Sequence, residues 1–394
     1  MSLLVRAFVA LALLYAASAS ATGMLANVKQ VSAGGTHSCA VLGDSSVACW
    51  GSNGWGELGD GSTTPRARPA RVIDAGTGSA MTGFSQVATG SAMTCGLRGI
   101  DVYCWGYAFP GVAQPFPTRI PLGAPVKTIA LKAEFVCVLL ATAERSMKCW
   151  GDNYDGQLGD GTQTSRGTPA DVVITERDGS HTLLSGITQI AAGADHACAV
   201  LDDTSVACWG FNFAGELGNN TYADSLSPVA VTIDVPAHPK LADIRSVTAN
   251  GLHSCAIFAS TSHVACWGSN VQGQLGDTAV TYVIDSPVGV AVAASAIDAG
   301  EESTCAMLPD GRLACWGGNT YGQLANGSIG GTERVPNVVL SLPKIASLSV
   351  GTYHACAVLP DTTVRCWGRG DSGELGSGSP VPSSPNPIPV ADLQ

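Results

Sequence analysis

Short apolar runs, separated by glycine, proline and small polar residues, return in the same order seven times along this 394-residue chain. Each unit opens on a V-x-x-V-like run such as Val28 to Val31, turns through small residues, and continues into a second apolar run such as Cys39-Ala40-Val41-Leu42. A polar loop leads to a third run ending in Cys-Trp-Gly. Most units then pass through G-E/Q-L-G to a closing P-x-x-V or P-x-x-I. Runs this short, bounded by turn residues, predict strands, and four per unit make one antiparallel blade. The Cys-Trp-Gly tryptophans, Trp50, Trp105, Trp150, Trp209, Trp267, Trp316 and Trp367, are 45 to 59 residues apart, a period of propeller blades or large solenoid units. A unit of that size cannot bury its apolar face alone, so the units must stack. The expectation is an all-β chain folded as a seven-bladed β-propeller of four-stranded antiparallel blades, with approximate repeats at 27–80, 81–125, 126–184, 185–241, 242–293, 294–344 and 345–394.

Strand register brings in the cysteines. A Cys stands 9 to 12 residues before each Cys-Trp-Gly, matching Cys39 with Cys49, Cys95 with Cys104, Cys137 with Cys149, Cys198 with Cys208, Cys255 with Cys266, Cys305 with Cys315 and Cys356 with Cys366, which uses all 14. If Cys39 faces Cys49, then Val41 faces Val47, and Gly43-Asp44-Ser45 becomes a three-residue hairpin loop. Opposed strand positions lie at about the separation a disulfide needs, so one bond per blade is expected. Pairing between neighbouring blades is the competing connectivity, and sequence leaves it open. No C-x-x-C spacing of a zinc knuckle occurs.

The first residues read as an export signal, 1–21. Arg6 is the only early charge, residues 7–15 are almost wholly apolar, and Ala17-Ser18-Ala19 or Ala19-Ser20-Ala21 offers a cleavage site. A secreted protein, extracellular or periplasmic, is therefore expected, with no membrane association after cleavage and its cysteines oxidised. Loss of Arg6 leaves 19 Lys+Arg against 31 Asp+Glu, a mature net charge of −12 that opposes binding to nucleic acid.

The string His37-Ser38-Cys39-Ala40-Val41-Leu42, followed by Val47-Ala48-Cys49-Trp50-Gly51-Ser52-Asn53-Gly54-Trp55-Gly56-Glu57-Leu58-Gly59, resembles the repeats of the regulator of chromosome condensation family. The resemblance runs over nearly the whole mature chain and implies a seven-bladed propeller. The family's eukaryotic namesake is a nuclear nucleotide-exchange factor for a small GTPase, a function at odds with the signal and the acidic balance. Its plant ultraviolet photoreceptors use Trp in a G-W-R-H-like turn, where this chain has Gly34-Gly35-Thr36-His37 and Gly351-Thr352-Tyr353-His354. In compartment the chain is similar to the family's secreted bacterial member, a beta-lactamase inhibitory protein that binds a protein partner.

Candidate chemistry is sparse. His37, His196, His253 and His354 recur two residues before the first Cys of their units and read as structural ties, since blades hold equivalent residues apart around a ring. Catalytic elbows, nucleotide loops and zinc motifs are absent from the sequence, so neither a catalytic role nor a cofactor is expected. An enzyme alternative, a secreted hydrolase or lyase, would draw on Asp60, Asp160 and Asp277, which sit in the recurring Gly-Asp turn. A third alternative is a GTPase exchange factor. The leading expectation is a monomeric scaffold that recognises a protein partner through rim loops, with Trp55, Tyr107 and Phe109 as candidate contacts. Unit 2 lacks G-E/Q-L-G and is expected to carry a remodelled loop. For ring closure, the final P-x-x-V strand at 387–390 is expected to cross into blade 1.

Overall fold

The computed structural model describes residues 23–394 apart from 109, 235–238 and 280–281. The expected signal segment and Phe109 lie outside the described residues.

Seven four-stranded antiparallel sheets follow one another along the chain, at 28–71, 84–120, 126–171, 187–230, 244–293, 296–338 and 347–389. In blade 1 these are β1 (Val28–Ala33), β2 (His37–Leu42), β3 (Val47–Gly51) and β4 (Arg66–Arg71), hydrogen-bonded in chain order. The other six blades repeat this order. Blade 3 adds a two-stranded hairpin, Val173–Thr175 with His181–Leu183. Among the described residues no helix is long and apolar enough to cross a membrane.

First strands from all seven blades surround a central cavity of about 310 Å³, lined among others by Gln30, Gln86 and Gln189. These glutamines tie neighbouring first strands together: the Gln30 side chain donates to Val87 O at 2.8 Å and accepts from Val87 N at 2.9 Å. Gln86 and Gln189 do the same toward Ile129 and Val247.

The blade hairpin has the register read from the spacing. Cys39 pairs with Cys49 and Val41 with Val47, the Leu42 amide donates to Ser46 O at 2.9 Å, and Ser45 closes the loop at φ 62°. A left-handed residue at the end of a three-residue hairpin loop is what that turn needs.

All seven disulfides lie within their blades. Cys39 is bonded to Cys49, Cys95 to Cys104, Cys137 to Cys149 and Cys198 to Cys208. Cys255 is bonded to Cys266, Cys305 to Cys315 and Cys356 to Cys366. The reason is register: in every blade the two cysteines are direct partners across the second and third strands, as in Cys137 opposite Cys149 and Cys255 opposite Cys266, whatever the loop length between them. Their Cα atoms are 4.0 to 4.2 Å apart, a closeness that belongs to the non-hydrogen-bonded positions of an antiparallel ladder. Pairing between blades is excluded.

Ring closure differs from the expectation. The last strand, Ser383–Pro389, pairs with Val364–Arg369 of its own blade and does not cross into blade 1. The reason lies in the residues that follow it: Val390 is fully buried beneath its own blade's turn, and only then does the chain reach the N-terminal segment. Leu25 N donates to Val390 O at 2.9 Å, and Met24 and Ala391 form a single bridge. Apolar packing completes the seam, with Leu25, Val28, Val31 and Trp50 against Val358, Val364 and Leu375.

Candidate functional site

Up-and-down strands put two kinds of connection on the same rim: the turn from first to second strand, and the G-E/Q-L-G loop from third to fourth. That loop is built on one buried asparagine. Asn53 Oδ1 accepts the Leu58 amide at 3.0 Å while its Nδ2 donates to Thr64 O at 3.1 Å. Asn153, Asn212 and Asn319 repeat both bonds.

Glu or Gln is required next because its side-chain oxygen accepts the amide two residues earlier. Glu57 takes Trp55 N at 2.8 Å, Gln157 takes Asp155 N at 3.0 Å and Gln323 takes Tyr321 N at 2.8 Å. The leucine that follows is buried in all six turns: Leu58, Leu158, Leu217, Leu275, Leu324 and Leu375. Gly59 stands at φ 66°, and a Cβ there would meet Trp105 Nε1 at 2.8 Å.

The turn locks onto the next blade. The carbonyl of its Glu or Gln accepts that blade's indole N–H: Trp105 to Glu57 O at 2.8 Å, Trp209 to Gln157 O at 3.0 Å, Trp267 to Glu216 O at 2.7 Å and Trp316 to Gln274 O at 2.9 Å. Trp367 bonds Gln323 O, and Trp50 bonds Glu374 O across the closing seam.

The four histidines belong to the same seams. His37 Nε2 meets Thr94 Oγ1 at 2.7 Å, His196 meets Ser254, His253 meets Thr304 and His354 meets Ser38, each pair spanning two blades. Where a unit has Met93, Phe135 or Ser303 instead, the facing residue of the next blade is Val136, Ala197 or Ala355, so the pairs change together. Full burial holds His37, His253 and His354 down to about 3 and His196 to about 4. They are neutral ties between blades.

The rim itself is aromatic and acidic. Trp55 and Tyr107 meet edge to face with centroids 5.2 Å apart, and Trp55 is 40% exposed. Tyr154 and Phe213, loop-tip aromatics that sequence alone does not single out, are 68% and 77% exposed. The same rim carries carboxyls raised above their ordinary range. Burial, then Asp152 and Glu57, pushes Glu134 up to about 7. Burial with Asp155 and Asp152 raises Asp195, and burial with Glu302 and Asp195 raises Glu301. Glu134, Asp195 and Glu302 occupy one repeat position, filled elsewhere by Thr36, Ala92, Leu252 and Tyr353; variation there amid constant neighbours is the signal that could have marked them.

The aspartates of the enzyme alternative are committed to loop structure. Asp60 Oδ1 accepts Ser62 N at 3.0 Å and its Oδ2 pairs with Arg66; Asp160 treats Thr162 and Arg166 alike. Asp277 accepts Ala279 N at 2.6 Å.

Fold and seams define a disulfide-stapled propeller whose blades interlock through a repeated turn and the indole of the next blade. Models of the regulator of chromosome condensation (RCC1) repeat match residues 149–200 and 310–358, and 28–56, 187–216, 294–323 and 345–374. The chain belongs to the RCC1 repeat family. The ultraviolet-B receptor UVR8 of Arabidopsis thaliana is 29% identical over 376 residues, spanning 89% of this chain and 79% of the receptor. Among solved structures, human WBSCR16 is similar with a TM-score of 0.72 at 18% identity, over 88% of this chain and 93% of that one. Prp20p from Saccharomyces cerevisiae, whose binding to Gsp1p and histones is described with its structure, is similar with a TM-score of 0.67 at 20% identity, over 82% and 80%. At these identities the likeness to solved structures shows the fold.

Proposed function

We propose that this chain is an exported, non-catalytic scaffold that binds a protein partner through the rim carrying Trp55 and Tyr107. The observation that carries this reading is the Trp55–Tyr107 pair, an exposed aromatic contact fixed from below by the Glu57 carboxylate. Rigid aromatic groups in a setting of polar groups are what binding hot spots are made of. The raised carboxyls around Tyr107 favour a partner with basic side chains, because a cation placed there relieves their mutual repulsion. Export is supported by seven disulfides, which persist in oxidising compartments, together with the apolar 7–15 segment.

GTPase regulation, which the relation to Prp20p brings to mind, would require an intracellular chain and is not favoured. The experiment is affinity capture from the organism's own secretome by the mature protein and by a variant carrying both Trp55→Ala and Tyr107→Ala. Partners should be lost from the variant and should elute with salt. Capture that is indifferent to both changes would refute the aromatic rim.

A further inference from the structure

Six seams of the ring are filled in one way, and among the described residues the seventh lacks that filling. Unit 2 has no G-E/Q-L-G turn, so among the described residues blade 2 offers blade 3 no counterpart of the turn's leucine, carbonyl or glycine. A cavity of about 140 Å³ stands there, lined by Met93, Cys104, Ile120, Glu134, Trp150 and Gly167 among others. Its walls are the counterparts of those that enclose the leucine elsewhere. Ile120 corresponds to Val72 and Val172, which flank Leu58 and Leu158. Trp150 is 5% exposed where the other six Cys-Trp-Gly indoles are at 0 or 1%. Among the described residues no carbonyl accepts its N–H, whereas each of those six has one. Glu134 has a buried, unpartnered Oε2 at the same opening.

We infer that the seam between blades 2 and 3 is a socket for a Gln-Leu-Gly turn presented by a partner protein, which completes the missing element from outside. The leucine fills the apolar cavity, whose size is close to the ~150 Å³ that accepts a benzene ring in an engineered apolar site. The glutamine carbonyl accepts the Trp150 indole N–H, as Gln157 O does for Trp209. The glutamine side-chain amide donates to Glu134, because the residue at that repeat position in the next blade, Asp195, already accepts Gln157 Nε2 at 3.2 Å. Three features of the occupant are thus set by one occupied copy of the site within the same molecule. The socket deepens the rim reading, since Tyr107 borders it, and adds the chemistry of what enters.

The test uses the mature protein and the capped hexapeptide Gly-Gln-Leu-Gly-Asp-Gly, the sequence of residues 156–161. The ¹⁵N–¹H signal of the Trp150 indole, assigned by its disappearance in Trp150→Phe, is followed during titration. A saturable shift confined to this indole is expected, with the Leu→Ala peptide bound about tenfold or more weakly, the worth of a leucine's buried methyl groups. The Gln→Glu peptide should bind more weakly at pH 8 than at pH 6, since Glu134 ionises near pH 7 and then repels it. No shift at about 10 mM peptide, or equal binding of the Ala peptide, would overturn the socket. Peptide binding does not depend on the natural partner, so loss of capture by the Trp55 variant and failure of the peptide are separate outcomes. The first bears on the rim, the second on the socket.

Discussion

Replacing one Cys-Trp-Gly tryptophan at a time by phenylalanine should destabilise the ring by amounts that the seams dictate. Each change removes the same indole N–H and a similar part of the ring, so the differences isolate the hydrogen bond. Gln157 O has Trp209 Nε1 as its donor and faces Ala197, which offers none. Trp209→Phe therefore leaves a buried carbonyl without a partner, at a cost of about 1–3 kcal/mol beyond the shared loss of packing. Glu216 O accepts both Trp267 Nε1 at 2.7 Å and Ser254 Oγ at 3.1 Å. Trp267→Phe orphans nothing and forfeits about 0.5–1.5 kcal/mol. Trp150 has no acceptor to lose among the described residues, so Trp150→Phe should cost the packing contribution alone. The assay is urea unfolding of the oxidised proteins, comparing midpoints at a common slope. The expected order of loss is Trp209, then Trp267, then Trp150. A Trp150→Phe variant as unstable as Trp209→Phe would refute the claim that turn carbonyls fasten the blades.

Acid should unfold the protein in two regimes. The four seam histidines fall from 6.5 in the unfolded chain to about 3 or 4 when folded, so below pH 6.5 they take up protons on unfolding and stability drops. Glu134 and Glu216, raised from 4.5 to about 7, act oppositely between pH 7 and 4.5 because the fold holds their protons. The loss should be about 1.4 kcal/mol per pH unit for each uncompensated group, shallow down to pH 4.5 and steep below; urea midpoints constant down to pH 4 would contradict it. Removing one hairpin bond by changing Cys356 and Cys366 together to Ser should cost roughly 3 kcal/mol by the chain-entropy model, read as a lowered midpoint that leaves the other variants' ranking unchanged. Deleting residues 383–394 should raise amide exchange first in Val364–Arg369, the strand that loses its neighbour, and fast exchange beginning in blade 1 would instead favour a crossing strand.

Most of the architecture can be read from spacing, because each structural demand recurs seven times. A disulfide needs opposed positions, and the interval from Cys39 to Cys49 sets the whole hairpin register, including the left-handed Ser45. The intervals of 12 and 11 that separate Cys137 from Cys149 and Cys255 from Cys266 hold the same opposition by changing only the hairpin loop. The turn is recognisable as G-E/Q-L-G, but its reason is not: the oxygen that Glu and Gln share, and the carbonyl offered to the next blade, become visible only when blades stand side by side. Ring closure is not legible, because a P-x-x-V strand pairs equally well on paper with either blade, while burial of Val390 decides for its own. The rim is half legible. Trp55 and Tyr107 stand out as aromatics in loops, but nothing in one-dimensional order brings them to 5.2 Å, and the meaning of Glu134 lies in a turn that unit 2 lacks.

The claim that this rim is the binding surface is tested most directly by hydrogen exchange of the mature protein with and without its captured partner. Protection is expected in the turns at 34–36, 53–59, 106–108, 133–135 and 152–157, with the hairpin loops of the opposite rim, such as 43–46, unchanged. Protection of the opposite loops with the Trp55 and Tyr107 turns unaffected would contradict the account.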